Sequence, residues 1–312
     1  MNEFRDRGAP RDLPDALRRL PWGPPDSFLG VPAADSKFED CPVVILPVPY
    51  EATVSYGTGT RNGPRAIIHA SRFLELYDHE LDSEPHEVGV HTLPELVLPD
   101  SGPGEALDQL KEAIDLLLRE NKFVITLGGE HSVSGPVIRS HADRLPTSSL
   151  SVLQLDAHTD LRAEYEGTPY SHACAMHMVH DRVNLVPVGV RSMTSDERLL
   201  VKNAKIPIVF GHELRSQGWI DRVVNALGDD VYVTVDIDYF DPSLVPSTGA
   251  PEPGGGEWYP TLQLLDRVFN EKNVVGCDVV ELAPTPGITA PDVLSAKLVY
   301  KMIGFYHRNR SV

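Results

Sequence analysis

Residues 150–160 read LSVLQLDAHTD. The first six form an apolar run of strand length, and the last five place Asp156, His158 and Asp160 at every second position. In an extended chain alternate residues share a face, so these three side chains are expected to converge. Three such groups at the end of an apolar strand are costly to bury without a cation or dedicated partners. The plainer alternative is an exposed strand end with scattered polar residues, and the repeated two-residue spacing argues against it. A short, uninterrupted apolar run is also what a strand covered on both faces requires, as in a parallel sheet between helices.

Working outward, similar runs occur at Val43–Val48, Phe123–Leu127, Val183–Val190, Val231–Val235 and Val274–Val280. Helical stretches lie between and after them, at Pro64–Leu76, Glu105–Glu120, Val133–Ala142, Asp196–Asn203, Leu262–Glu271 and Ala290–His307. Gly63-Pro64 is a start signal for the first of these, because proline suits an early helical position. The alternation predicts an α/β fold, with a mostly parallel central sheet and helices on both faces. No repeat, low-complexity tract or composition shift marks a linker, so residues 41–312 read as one domain. Residues 1–40, with Pro10, Pro14, Pro21, Pro24, Pro25 and Pro32, read as an irregular arm.

The chain has 312 residues, 45 Asp and Glu against 28 Lys and Arg, and a formal charge of −17. That balance argues against a nucleic-acid surface, which needs clustered Lys and Arg to neutralise phosphates. It argues equally against a polybasic membrane patch. No run approaches the ~18 apolar residues of a membrane span, and the N-terminus lacks an apolar signal segment. A cytoplasmic protein is expected. Cys41, Cys174 and Cys277 are scattered and form no CxxC pair, so neither a disulfide framework nor a thiolate zinc site is expected.

Ligands of parallel sheets bind beyond the C-terminal ends of the strands. Four of the runs lead into polar residues there. Phe123–Leu127 precedes Gly-Gly-Glu130-His131-Ser132, where the glycines permit a tight turn and close backbone approach; His131 is either a ligand or a polar turn residue. Val231–Val235 precedes Asp236-Ile237-Asp238, followed by the turn signal Asp241-Pro242. Two carboxylates so close shift one pKa strongly upward unless a cation lies between them. Val274–Val280 precedes Glu281, at the same sheet edge. The first three segments supply two histidines and four aspartates without a cysteine, a set suited to Mn²⁺ and related first-row ions. Four carboxylates overcharge one divalent ion beside neutral imidazoles, whereas two ions balance them. Two metals about 3.5–4 Å apart can hold a bridging water and lower its pKa towards neutrality. The chemistry expected is metal-assisted hydrolysis.

These segments resemble the ureohydrolase (arginase/agmatinase) family. LGGEHS, DAHTD, DIDYFDP and VVELAP stand in the family's order, joined upstream by PVPYEATVSYGTGTRNGPRAI and by LELYD at Leu74–Asp78. The likeness runs from about Pro42 to the C-terminus. It implies a three-layer α/β/α arginase-like fold, a binuclear Mn²⁺ site and a homo-oligomer, trimer or hexamer. By motif position, one ion is held by His131, Asp156, Asp160 and Asp236, and the other by Asp156, His158, Asp236 and Asp238. Attack of a metal-bridging hydroxide on a guanidinium carbon then yields urea and an amine, with Asp160 bonded to the hydroxide. Glu281 matches the position that pairs with the substrate guanidinium, and His172 matches the proton-shuttle histidine. Cys174 reads as a small core residue. Glu130 departs from the Asp that many members carry, and Ala173 from a Gly.

The loop LRAEYEGTPY at 161–170 lacks the Asn and Ser pattern with which arginases hold an amino-acid head group. Glu164 and Glu166 are either a solvated acidic pair or the site of a distal cationic amine. PEPGGGEWY at 251–259 and the LELYD segment look more like agmatinases and aminopropylagmatine ureohydrolases than arginases. The expected substrate is a small guanidino cation, agmatine or an aminopropyl-extended agmatine, giving urea and putrescine or spermidine. The alternatives are guanidinobutyrate, arginine, guanidine or a formimidoyl substrate, or a non-catalytic binding relative with a broken ligand set.

Overall fold

The six apolar runs become strands and two short ones join them, giving eight among the described residues: β1 Val43–Val48, β2 Val90–Thr92, β3 Phe123–Gly128, β4 Leu150–Leu155, β5 Asn184–Val190, β6 Val209–Phe210, β7 Asp230–Asp236 and β8 Asn273–Val280. The computed structural model describes residues 25–146 and 149–309. All eight strands belong to one sheet, every pairing is parallel, and the order is β2-β1-β3-β8-β7-β4-β5-β6. The main helices are α1 Gly63–Ser71, α2 Pro103–Arg119, α3 Ser134–Ala142, α4 Ser195–Ala204, α5 Trp219–Ala226, α6 Trp258–Glu271 and α7 Ala290–Arg308.

Strand alternation feeds two cores. Val43, Ile45, Ile125, Leu127, Leu153 and Leu155 pack on one face with Ile67 of α1, Val223 of α5, Leu265 of α6 and Leu298 of α7. Leu46, Val48, Val124, Leu150 and Val152 pack on the other with Ile114 of α2, Val137 of α3 and Val201 of α4. The result is three layers, helices on both sides of the sheet, as the uninterrupted strands require. A fully buried strand residue such as Ile125 contributes about 2–5 kcal/mol on truncation to alanine.

Differences from the sequence expectation have local causes. The two edge strands β2 and β6 and the short helix α5 went unread, because two- and three-residue strands show no period. The helix expected over Pro64–Leu76 ends at Ser71. Leu74 and Leu76 beyond it are buried by the core rather than by helical periodicity. The LELYD segment serves α7: Lys301, almost wholly buried, places Nζ 2.7 Å from Asp78 Oδ1 and 2.5 Å from Glu80 Oε2, while Lys297 approaches Asp78 Oδ2 at 3.3 Å. Burial works against the Asp78 carboxylate, but the two lysines outweigh it and hold its carboxyl below the usual range.

Of the arm expected over residues 1–40, residues 1–24 lie outside the described residues. From 25 to 40 the chain is irregular apart from short turns at Phe28–Gly30 and Phe38–Asp40. This segment contributes to the core: Phe28 and Leu29 are fully buried in the first core, and Leu29 N–H donates to Ser71 Oγ at 2.8 Å. No helix among the described residues is long and apolar enough to cross a membrane.

Candidate metal centre

The segments that carry polar residues follow β3, β4, β7 and β8, and those strands are consecutive in the sheet, in the order β3-β8-β7-β4. Because all run parallel, their C-terminal ends open on one edge. His131, Asp156, Asp236 and Glu281 are thereby collected from positions up to 150 residues apart, the separation spanned by the His131 N–H to Glu281 Oε1 bond of 2.7 Å.

His131 Nδ1 faces three carboxylates: Asp160 Oδ2 at 2.8 Å, Asp156 Oδ2 at 3.1 Å and Asp236 Oδ2 at 3.4 Å. His158 Nδ1 lies 2.9 Å from Asp238 Oδ2 and 3.6 Å from Asp156 Oδ1. Among the described residues two groups have ligand atoms all within 4.8 Å of one another, His131 with Asp156 and Asp236, and Asp156 with His158 and Asp238. Asp156 belongs to both, as a bridging ligand would. Asp236 falls in the first group only; its Oδ1 accepts the Asp238 N–H at 2.9 Å.

The convergence does not arise from strand alternation, as the sequence reading had it. β4 stops at Leu155, and Asp160 reaches the site because its own backbone is left-handed, with φ 50°. That conformation is uncommon outside glycine and marks a position held by its surroundings. After β7 the chain turns into a 3₁₀ segment, Ile237–Tyr239, capped by the Asp236 side chain.

The donor set fits divalent cations. His131 Nδ1 is buried without a hydrogen-bond partner although three carboxylate oxygens surround it. A buried polar atom so placed calls for an ion or another partner. The electrostatics agree. Burial, then Asp238, Asp156 and Glu281, raise the Asp236 carboxyl well above the usual range; burial and Asp156 raise Asp160. Burial opposes charge on the imidazoles, yet Asp156 and Asp160 raise His131 well above its ordinary value, and Asp238 and Asp156 push His158 up to about 12. Such a cluster takes up protons to relieve its negative charge, and divalent cations relieve it without them.

Four supporting residues come to light only in the structure. His131 Nε2 lies 3.0 Å from Thr234 Oγ1, whose hydroxyl donates to Asp278 Oδ1 at 2.6 Å; Tyr232 O–H donates to Asp278 Oδ2 at 2.8 Å. This relay lets Nε2 keep its hydrogen and leaves the Nδ1 lone pair for a cation. On the other side, Gln154 Nε2 donates to Asp156 Oδ2 at 2.8 Å. A signal existed: Gln154, Thr234 and Asp278 interrupt otherwise apolar strands.

A cleft of about 250 Å³ opens over the centre, lined by His158, Asp160, Asp236, Asp238 and Glu281, with His172, Tyr165 and Arg162 further along. Glu281 has φ 65°, and burial drives its carboxyl well above the usual range. Its Oε2 lies beside Gly249, 3.2 Å from where a side-chain Cβ would stand. Gly249 thus leaves that oxygen open to the cleft. Glu164 and Glu166 do not line it; both are exposed on the loop that turns Tyr165 inward. Arg162 of the same loop enters the cleft wall with its guanidinium 4.7 Å from the Tyr165 ring centroid. Cys174 is fully buried, and burial pushes its thiol up to about 11, which suits a core residue.

Residues 41–304 match the family described as the arginase family. The chain is 36% identical over 290 residues to the N(1)-aminopropylagmatine ureohydrolase of Synechocystis sp., covering 90% of this chain and 94% of the relative. It is 39% identical over 272 residues to the enzyme of the same name from Thermus thermophilus, covering 86% and 92%. Among solved structures, the agmatine ureohydrolase of Thermoplasma volcanium superposes with a TM-score of 0.82 at 25% identity, covering 92% of this chain and 96% of that one.

Proposed function

The chain belongs to the arginase family, and from that premise we propose that it is a ureohydrolase of agmatine-type substrates, releasing urea and a polyamine. The observation that carries the proposal is the assembly of His131, Asp156, His158, Asp160, Asp236 and Asp238 in one cluster, of which the last four line the cleft. A non-catalytic relative would be expected to have lost one of them. Two divalent ions, Mn²⁺ by preference, would there polarise water and supply the hydrolytic nucleophile. Asp156, which belongs to both groups, would serve both ions, and Asp160 would also accept a bond from the attacking water.

Glu281 Oε2 offers a carboxylate to the guanidinium, a charge-assisted contact that neutralises the buried acid as the substrate enters. His172 lies along the cleft wall, positioned to carry a proton between the leaving amine and solvent. The relatives named above act, by name, on aminopropylagmatine and agmatine, which supports a cation with a distal amine. Arg162 favours a second reading, a guanidino acid such as guanidinobutyrate whose carboxylate would meet its guanidinium. The deciding experiment is urea release from agmatine, aminopropylagmatine, arginine and guanidinobutyrate, with metal analysis of the purified protein. Preference for arginine would refute the agmatine-type assignment, preference for guanidinobutyrate would establish the second reading, and a preparation active without Mn²⁺ would remove the metal preference.

A further inference from the structure

Glu130 precedes the ligand His131 but turns away from the metal centre. It is fully buried, and four donors occupy its carboxylate. Oε2 accepts the backbone N–H groups of Ala52 and Thr53, each at 2.7 Å. Oε1 accepts the Thr53 hydroxyl at 2.7 Å and the Ser132 hydroxyl at 2.6 Å. The backbones meet as closely: Glu130 N–H donates to Tyr50 O at 2.9 Å, and a Cβ at Gly129 would fall 1.9 Å from that oxygen. This joint holds the loop whose residues Val54, Ser55, Tyr56 and Gly57 form one wall of the cleft.

Thr53 has one hydroxyl proton, and Glu130 receives it. Towards any other group its oxygen can only accept. It accepts the His172 backbone N–H at 2.9 Å and lies 3.3 Å from His172 Nδ1. A lone pair facing Nδ1 is favourable only when that nitrogen carries hydrogen. The Ser171 hydroxyl, also 3.3 Å from Nδ1, has a proton of its own and can take either role, so it does not reverse the choice. Nε2 is left with the lone pair, 3.4 Å from Ser55 Oγ. The Tyr165 ring stands edge-on to the imidazole with centroids 6.0 Å apart.

We propose that Glu130 and Thr53 are positioning residues for His172, with Glu130 fixing the loop and orienting the Thr53 hydroxyl so that His172 is held with Nδ1 protonated and Nε2 turned to the cleft. The proposal rests on the reading of His172 as the proton carrier of a urea-releasing hydrolase. It also explains why glutamate stands here. An aspartate reaches about 1.5 Å less far, which takes these bonds beyond the ~3.2 Å limit of good hydrogen-bond geometry.

The test compares Mn²⁺-loaded wild type, Thr53→Val, Thr53→Ser, Glu130→Asp and His172→Ala, and the first and third substitutions again in the His172→Ala background. Thr53→Val and Glu130→Asp should lower kcat about tenfold or more, part of the ~10²–10⁴-fold that positioned proton transfer supplies. KM should stay within about twofold and metal content should be unchanged, because the effect is on orientation and not on binding. Thr53→Ser keeps the hydroxyl and should retain activity. In the His172→Ala background neither substitution should slow turnover further. Wild-type kcat in Thr53→Val, or an equal loss with His172 absent, overturns the proposal. If Glu130→Asp does not fold, the valine and serine variants decide it. A readout independent of activity is the ¹⁵N spectrum of the His172 ring in Zn²⁺-loaded protein. Hydrogen on Nδ1 in wild type, lost in Thr53→Val, supports the proposal, and hydrogen on Nε2 in wild type overturns it. Failure of wild type to release urea from any guanidino compound would instead refute the ureohydrolase reading, leaving the tautomer result to judge this one.

Discussion

His141, on α3 outside the cleft lining, offers a direct check on the packing of the second core. Its side chain is buried between the Tyr232 ring, 5.0 Å away, and the backbone at Gly276, where a Cβ would lie 2.7 Å from Nε2. Nε2 has no hydrogen-bond partner. Burial, reinforced by Arg144, lowers the imidazole pKa to about 3 from its ordinary 6.5. A depressed folded-state pKa means that the unfolded chain takes up the proton first as pH falls. The stability concerned is therefore complete above pH 6.5 and is lost progressively towards pH 3. Between about pH 7 and pH 5 the loss from this one group is roughly 2 kcal/mol, and any folded pKa below about 4 gives the same value. The perturbation is His141→Leu, which cannot titrate and has no partner to lose at Nε2. Unfolding free energies of both proteins are measured by reversible urea denaturation at the two pH values, with the same divalent ion present. Subtracting one pH dependence from the other cancels the acids at the metal centre and should leave about 2 kcal/mol more acid sensitivity in wild type. A difference below about 0.5 kcal/mol would refute the claim that His141 is buried neutral.

Replacing Asp238 with Ala removes a carboxylate from the group it forms with Asp156 and His158; bound metal should fall by about one ion per chain and activity by at least about 100-fold, with the far-ultraviolet circular dichroism unchanged. Retention of both ions would show that the ligand assignment is wrong. Thr234→Val cuts the relay from His131 to Asp278 without changing shape, and metal affinity measured by competition with a chelator should weaken about 10–100-fold. Unchanged affinity would make that relay irrelevant to the cation. Gly249→Ala places a methyl 3.2 Å from Glu281 Oε2, so KM for the guanidino substrate should rise by about tenfold or more, while metal content stays constant; an unaffected KM would argue against Glu281 as the guanidinium partner.

Much of the site was legible because it sits where locally readable features end. The run Leu150–Leu155 and its counterparts at β3, β7 and β8 announce buried strands by composition alone, and metal-competent residues directly after such runs stand out chemically. The same logic left Glu164 and Glu166 open between two readings. Two acids near a motif suggested a role, but the left-handed backbone at Glu166 and the turn closed by Tyr165 and Thr168 direct them outward and Tyr165 inward. Nothing in a linear sequence says which side of a loop faces a cleft, so the place of Arg162 in the cleft wall emerges only from the fold.

The sequence by itself determined the layer architecture, the types of candidate ligand and their placement at strand ends. These follow from hydrophobic period and donor chemistry, which act within a few residues. Only the tertiary structure decided that β3, β8, β7 and β4 lie side by side, that Asp160 needs φ 50° to reach His131, and that Asp278 and Glu130 stand behind His131 and His172 respectively. These contacts join segments up to 150 residues apart. They form only when burial of both sheet faces settles which strands neighbour which, a property of the whole chain that no local window contains.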